Sequence, residues 1–196
     1  MPPRGTPLDA VERNLVKQEI LFWHHRKWHV HALSVMPTHV HVLATPLEAG
    51  RGEWYALSEI LHSVKRGSAW RVNRLRGARG PVWAKESYDH FIRHEREWSA
   101  AFDYLLANAV GGGYEGDPYE YDGFWCESME GLHGAEIVAN TALLTGAVPR
   151  VKEGSSSQRR RRLPHLELPG GTYHIVFSLR GHRVPAPLVP GTRMPL

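Results

Sequence analysis

Apolar residues recur along the first third of the chain in two different rhythms. From Asp9 to about Lys27, Val11, Leu15, Val16, Ile20 and Trp23 fall three and four residues apart, which predicts an amphipathic helix with Asp9 as its N-cap. The rhythm then changes to alternation. "WHVHALSVM" and, after Pro37, "HVHVLAT" predict two strands joined by a tight turn at "MPT". A second helix is predicted from about Glu53, with Leu57, Ile60, Leu61, Val64, Val72 and Leu75 on its apolar side and Gly77 and Gly80 ending it. "PVWAKESYDHFIRH" reads as strand. "EREWSAAFDYLLANAV" returns to helical spacing through Trp98, Phe102 and Leu105.

Beyond "VGGGYEG" the pattern loosens. "DPYEYDGFWCESMEGLHG" is rich in turn residues, "AEIVANTALL" has the spacing of a short helix, and "KEGSSSQRRRR" has the composition of a flexible basic linker. One more strand, "GGTYHIVFSLRG", is bounded by glycines, and a proline-rich tail follows. Helices interleaved with a largely hairpin-connected sheet predict an α+β fold with the helices packed on one face. The expected organisation is a core over residues 1–110, a loop and basic linker over 111–162, a strand segment over 163–184 and a tail over 185–196.

Composition narrows the classes. A chain of 196 residues with 42% hydrophobic and 22% charged positions has enough apolar material for a core, so disorder throughout is excluded. Apolar runs are short and broken by His, Arg or Glu, which predicts no membrane span, and "MPPRGTPLDAVERN" lacks the apolar stretch of a secretory signal. With Cys126 alone there is no internal disulfide and no cysteine-based zinc cluster, and a reducing cytoplasm is the expected compartment. The formal net charge of +4 is modest. Arginine, however, clusters in "KRGSAWRVNRLRGARG" and "QRRRRLPH", where planar guanidinium forks suit phosphates. Lys65, Arg66, Arg71, Arg74 and Arg159, Arg160, Arg161 and Arg162 are the candidate DNA-phosphate contacts; a solvated helix face is the alternative for any one of them. Trp70 and Trp83 are expected in the core rather than stacked on bases.

Two His-x-His pairs stand out, His29 with His31 and His39 with His41. Residues two apart on a strand share a face, so either pair can offer two imidazoles to one metal ion, and spacing does not choose between them.

The stretches "HALSVMPTHVHVLATP", "LSEILHSVKRGSAWRVNR", "GPVWAKESYDHFIRHERE" and "FDYLLANAV", in this order from His31 to Val110, resemble the HUH-type one-tyrosine transposases, in particular the REP-associated tyrosine transposases. The resemblance implies a ferredoxin-like antiparallel sheet, the HUH nuclease fold. It also implies a metal-dependent endonuclease and strand transferase acting on single-stranded DNA near hairpins, within the bacterial nucleoid. It assigns the histidine pair to His39 and His41, leaving His29 and His31 as strand residues. By the same resemblance, "DYLLAN" places the nucleophile on Tyr104 and a third metal ligand on Asn108; helix capping is the other reading of Asn108. Positions i and i+4 share a helical face, a geometry this sequence satisfies. The implied cofactor is Mg²⁺ or Mn²⁺, and the implied intermediate is a 5′-phosphotyrosine. A non-catalytic hairpin-binding descendant of such an enzyme is the alternative. A metallo-β-lactamase-like site wants an aspartate where Leu43 stands.

Two departures accompany the resemblance. Family members usually carry a basic Leu-Pro-His segment and a Gly-Gly-Thr-Tyr strand ahead of the first helix, whereas here "RRRRLPHLELPGGTYHIVFSLRG" follows the core. Circular permutation, a strand-swapped homodimer and a remnant of tandem gene copies each account for that order, with permutation in a monomer the preferred expectation. Ala109 stands where the family commonly has proline, which lets the helix run on.

Overall fold

A computed structural model describes residues 5–127 and 170–182. The first helix, α1 (Ala10–Phe22), starts on a capping box: Asp9 accepts from the Glu12 amide while Glu12 accepts from the Asp9 amide. Strands β1 (Trp28–Val35) and β2 (His39–Pro46) form the expected hairpin, closed by the Met36 amide donating to the His39 carbonyl. A short hairpin of β3 (Glu48–Gly50) and β4 (Glu53–Trp54) then intervenes, so α2 begins at Leu57 rather than near Glu53. Its end at Arg76 follows expectation. Gly77 takes the left-handed conformation, at φ 59°, that lets its amide and the next fold back onto Arg74 and Asn73.

Of the apolar stretch after Gly80, only Tyr88–Phe91 (β5) is a strand. Helix α3 (Glu95–Gly111) is capped by His94, whose Nδ1 accepts from the Glu97 amide, and with Ala109 in place it continues to Gly111. A single 3-10 turn (Pro118–Glu120) precedes β6 (Phe124–Cys126), a strand inside the segment expected to be loop. The last described strand is β7 (Tyr173–Ser178).

The five long-range strands pair antiparallel in the order β5-β7-β2-β1-β6. The strand from the far end of the sequence thus lies inside the sheet, between β2 and β5, and every one of its residues is buried. Its omission would leave unpaired edges on both β2 and β5.

The expectation of helices on one face is corrected. Helices α1 and α2 cover one side, where Val16, Ile20, Ile60 and Val64 join Val30, Leu33, Val42, Ile175 and Phe177 in one cluster. Helix α3 covers the other, where Trp98, Phe102, Leu105 and Ala109 pack with Ala32, Met36, Leu43 and Phe124. The cause is visible in the strands: β2 alternates apolar residues on the first side with His39, His41 and Leu43 on the second, so both faces need cover. Within the first layer, Arg76 on α2 grips the buried Glu12 of α1 through two parallel contacts of 2.5 and 2.6 Å.

Among the described residues no helix is long and apolar enough to cross a membrane.

Candidate functional site

The register places a row of polar side chains under α3. His39 opposes Ser178, His41 opposes Val176 and Leu43 opposes His174, so His39, His41 and His174 all point to the α3 side of the sheet. His41 and His174 are completely or nearly buried, and His41 Nδ1 lies 3.1 Å from His174 Nε2 with the rings stacked at 28°. His39 Nδ1 is held by Thr38 Oγ1 at 3.0 Å. The His39 and His41 rings are 4.9 Å apart and nearly perpendicular.

Helix α3 brings Tyr104 to this row. Its ring meets His41 edge-on at 5.2 Å and His174 at 6.0 Å. One turn later, the Asn108 side-chain amide donates to the Tyr104 carbonyl at 2.6 Å, so its Oδ1 is left for the site. It is not a C-terminal cap, since the Gly112 amide closes on the Asn108 backbone carbonyl instead.

Electrostatics keep the site uncharged. Burial, reinforced by His174 and then His39, holds the His41 imidazole well below its usual pKa. Burial likewise lowers His39, opposed by the nearby Asn108 amide and reinforced by His182. His174 falls to about 4 through burial and then His90. Burial raises the Tyr104 phenol, with Asn108 working the other way. Neutral imidazoles have one bare nitrogen each. His39 Nε2 and His41 Nε2 are both buried and, among the described residues, make no hydrogen bond of ordinary geometry. Buried polar atoms are almost always satisfied, so a pair of orphaned imidazole nitrogens beside an amide oxygen is a donor set lacking its acceptor. Two imidazoles and an amide oxygen suit a divalent ion.

The structure therefore brings His39, His41, Tyr104 and Asn108 together and adds His174, which sequence reading passed over. The available signal was its place in "TYHIVFS", where alternation sets it on one strand face with Tyr173 and Ile175 on the other.

The candidate DNA contacts do not join them. Lys65, Arg66, Arg71 and Arg74 all lie on α2, across the sheet from Tyr104. Lys65 Nζ donates to the carbonyls of Ala84, Lys85 and Glu86 at 3.1–3.3 Å, so its ammonium braces a loop. Arg71 is tied to Gln18 and Glu19 of α1. Arg66 and Arg74 are exposed; Arg74 lies over the Trp70 ring at 5.3 Å. Trp70 is 61% exposed rather than in the core, since it sits on the outer side of α2, whereas Trp83 is buried and donates to Ser68. A groove of about 440 Å³ between α2 and residues 81–87 also lies on this far layer. Arg159 to Arg162 lie outside the described residues.

A second set of potential ligands sits at the outer end of β1. His29, His31 and Glu127 place one ligand atom each within 4.8 Å of one another, as do His24, His25 and His29. Burial and then the neighbouring imidazoles depress His31 to about 3, and His24 to about 4 against the opposing pull of Glu127. No protein-family model, curated protein or solved structure matches this chain.

Proposed function

We propose that the chain is a metal-dependent single-stranded DNA endonuclease and strand transferase of the HUH one-tyrosine type, with Tyr104 as nucleophile. The observation that carries this reading is the meeting of Tyr104, from α3, with the orphaned Nε2 atoms of His39 and His41, from β2. His39 Nε2, His41 Nε2 and Asn108 Oδ1 would hold Mg²⁺ or Mn²⁺. Such an ion supplies Lewis-acid polarisation of a scissile phosphate and offsets the charge that builds on it.

The chain's own residues supply the rest. Tyr104 Oη attacks phosphorus, the P–O3′ bond breaks, the phenol loses its proton and the departing 3′ oxygen gains one. The product is a 5′-phosphotyrosine and a free 3′ hydroxyl. A phenolate leaves more easily than an aliphatic alkoxide because its pKa is near 10, so the link can be handed on to another 3′ hydroxyl without ATP. His174 orients His41: an Nδ1–H donated to His174 Nε2 keeps the lone pair of His41 on Nε2. The order of elements is read here as circular permutation, with β7 as the strand that precedes the first helix in the family. Its support is the contact of His182 Nε2 with the Gly5 carbonyl at 2.7 Å, which puts the end of the last strand beside the approach to α1.

The test is a covalent-adduct assay with labelled single-stranded hairpin oligonucleotides from the gene's flanks and Mn²⁺ or Mg²⁺. A protease-sensitive, metal-dependent shifted band that vanishes in Tyr104→Phe is expected. Hairpin binding without any adduct would replace this reading with the non-catalytic one.

A further inference from the structure

We infer that the outer end of β1 is a second metal site for a Zn²⁺-class ion, formed by His29 Nε2, His31 Nδ1 and the Glu127 carboxylate. It is separate from the Tyr104 site and independent of the function proposed for it.

Strand β1 sets two of the three ligands side by side and carries an irregularity at the second. Val30 pairs with Ala44 and Ala32 with Leu43, so His31 is an extra residue, a β-bulge. Alternation alone sets His29 and His31 on one face with Thr45; the extra residue turns Ala32 to that face as well, so that Val30 and Leu33 point to the α1–α2 core and Ala32 packs under α3. The ring centroids of His29 and His31 come to 4.7 Å. The Glu127 amide donates to the His31 carbonyl at 3.0 Å, extending the β6 pairing by one residue and bringing the carboxylate in. Glu127 Oε2 then lies 2.5 Å from His29 Nε2, and Oε1 lies 3.9 Å from His25 Nε2.

Hydrogen bonds sort ligands from supports. His31 Nε2 is bonded to Thr45 Oγ1 at 2.9 Å, and Thr45 Oγ1 to Thr172 Oγ1 at 2.8 Å. His31 Nδ1 is buried and has no hydrogen-bond partner among the described residues, in a residue only 5% exposed. An N–H anchored on one side and a bare nitrogen on the other is the arrangement of a metal-binding histidine. His24 is excluded by the same logic. Its Nδ1 accepts from the Val30 amide at 2.9 Å, which leaves the proton on Nε2. His24 therefore satisfies the open edge of β1 and supports His25, whose ring lies 3.7 Å away. His25 itself adopts φ 56°, a left-handed conformation that a non-glycine residue rarely takes and that turns it back toward the cluster.

Two imidazoles and one carboxylate are a borderline donor set, matched to Zn²⁺ or Co²⁺ rather than to Mg²⁺ or Ca²⁺. The ligands come from β1 and from the residue that follows β6, so a bound ion would fasten β6 to the sheet.

The test titrates chelator-treated, full-length protein with Zn²⁺ against a competing indicator, using wild type, His29→Gln, Glu127→Gln and a His39→Asn/His41→Asn double variant. Tight one-site binding is expected to survive in the double variant. It should weaken by at least about tenfold in His29→Gln and in Glu127→Gln, both of which change partly exposed side chains. In the wild-type protein, ring nitrogen NMR should show His29 Nε2 and His31 Nδ1, and neither nitrogen of His24, shifting on Zn²⁺ addition. Equal binding in wild type and the His29 and Glu127 variants would overturn the proposal. So would unmoved His29 and His31 resonances at saturating Zn²⁺.

Discussion

His41 and His174 are 133 residues apart in sequence and share a contact of 3.1 Å in the middle of the sheet. The contact exists because β7 enters between β2 and β5, placing His174 diagonally across from His41 on the α3 side. One ring faces Tyr104 and the other stands behind it, so the late strand shapes the chemistry of the early one.

That relationship makes His174 a positioning residue. Replacing it by Phe removes the acceptor for His41 Nδ1 while filling the space; replacing it by Gln keeps a polar acceptor. The apparent Mn²⁺ affinity in the adduct assay is expected to fall roughly 10–100-fold in His174→Phe, with substantial recovery in His174→Gln. Identical metal dependence in wild type and His174→Phe, with both proteins folded, would remove His174 from the site.

The same strand carries a large share of the core. Tyr173, Ile175, Phe177 and Leu179 are each at most 1% exposed. At about 1.5–3 kcal/mol per buried apolar side chain, their loss rivals the whole stability of an ordinary domain. A chain ending at residue 169 is therefore expected to be unfolded by circular dichroism. A rearranged chain, in which residues 163–182 are joined directly to Gly5 and run on to Glu127, should fold with the same sheet, because His182 already contacts Gly5. An unfolded rearranged chain would sink the permutation reading.

Legibility in the sequence followed the range of the interactions. The N-cap at Asp9, the alternation through His39 and His41, and the stop at Gly77 are local, and each was readable. The pairing that sets His174 behind His41 is not local. Nor was the second face: α3 crosses to it because Leu43 and Ala32 need cover there, and a pattern of apolar positions does not say which side of a sheet a helix takes. The bulge at His31 is one extra residue in eight, invisible to a period-two pattern, yet it decides that Ala32 turns under α3 and Leu33 to the α1–α2 core. Strand β6 is three residues long and was hidden among turn residues for the same reason.

Trp70 and Arg74 give a third expectation. An indole 61% exposed with a guanidinium 5.3 Å above it is a ready surface for stacking an unpaired base. If single-stranded DNA runs over α2, Trp70→Ala should weaken oligonucleotide binding by about 1–3 kcal/mol and leave thermal unfolding unchanged. Unaltered affinity in Trp70→Ala and Arg74→Ala together would place the DNA path elsewhere, away from α2.

Acid should destabilise the metal-free protein, and the sign follows from the direction of the shifts. His174 and His31 are held to about 4 and about 3 by burial, while in the unfolded chain each titrates near 6.5. Above 6.5 neither state binds the proton, and the full stability is present. Below it, the unfolded chain takes up protons that the folded chain refuses, so stability falls as the pH drops toward 4 for His174 and toward 3 for His31. The groups around His174 are His41, His90 and Tyr104; those around His31 are His24, His29 and Glu127. Apart from Glu127, no negative charge stands among them to hold an imidazolium. Each of the two histidines should contribute roughly 2 kcal/mol of destabilisation at pH 5 relative to neutral pH. Denaturant unfolding with chelator present, at pH 7 and pH 5, measures the total, to which the depressed His41, His39 and His24 also add, and His174→Gln should reduce it by about 2 kcal/mol. A pH 5 loss of the same size in His174→Gln and wild type would assign the acid sensitivity to other groups.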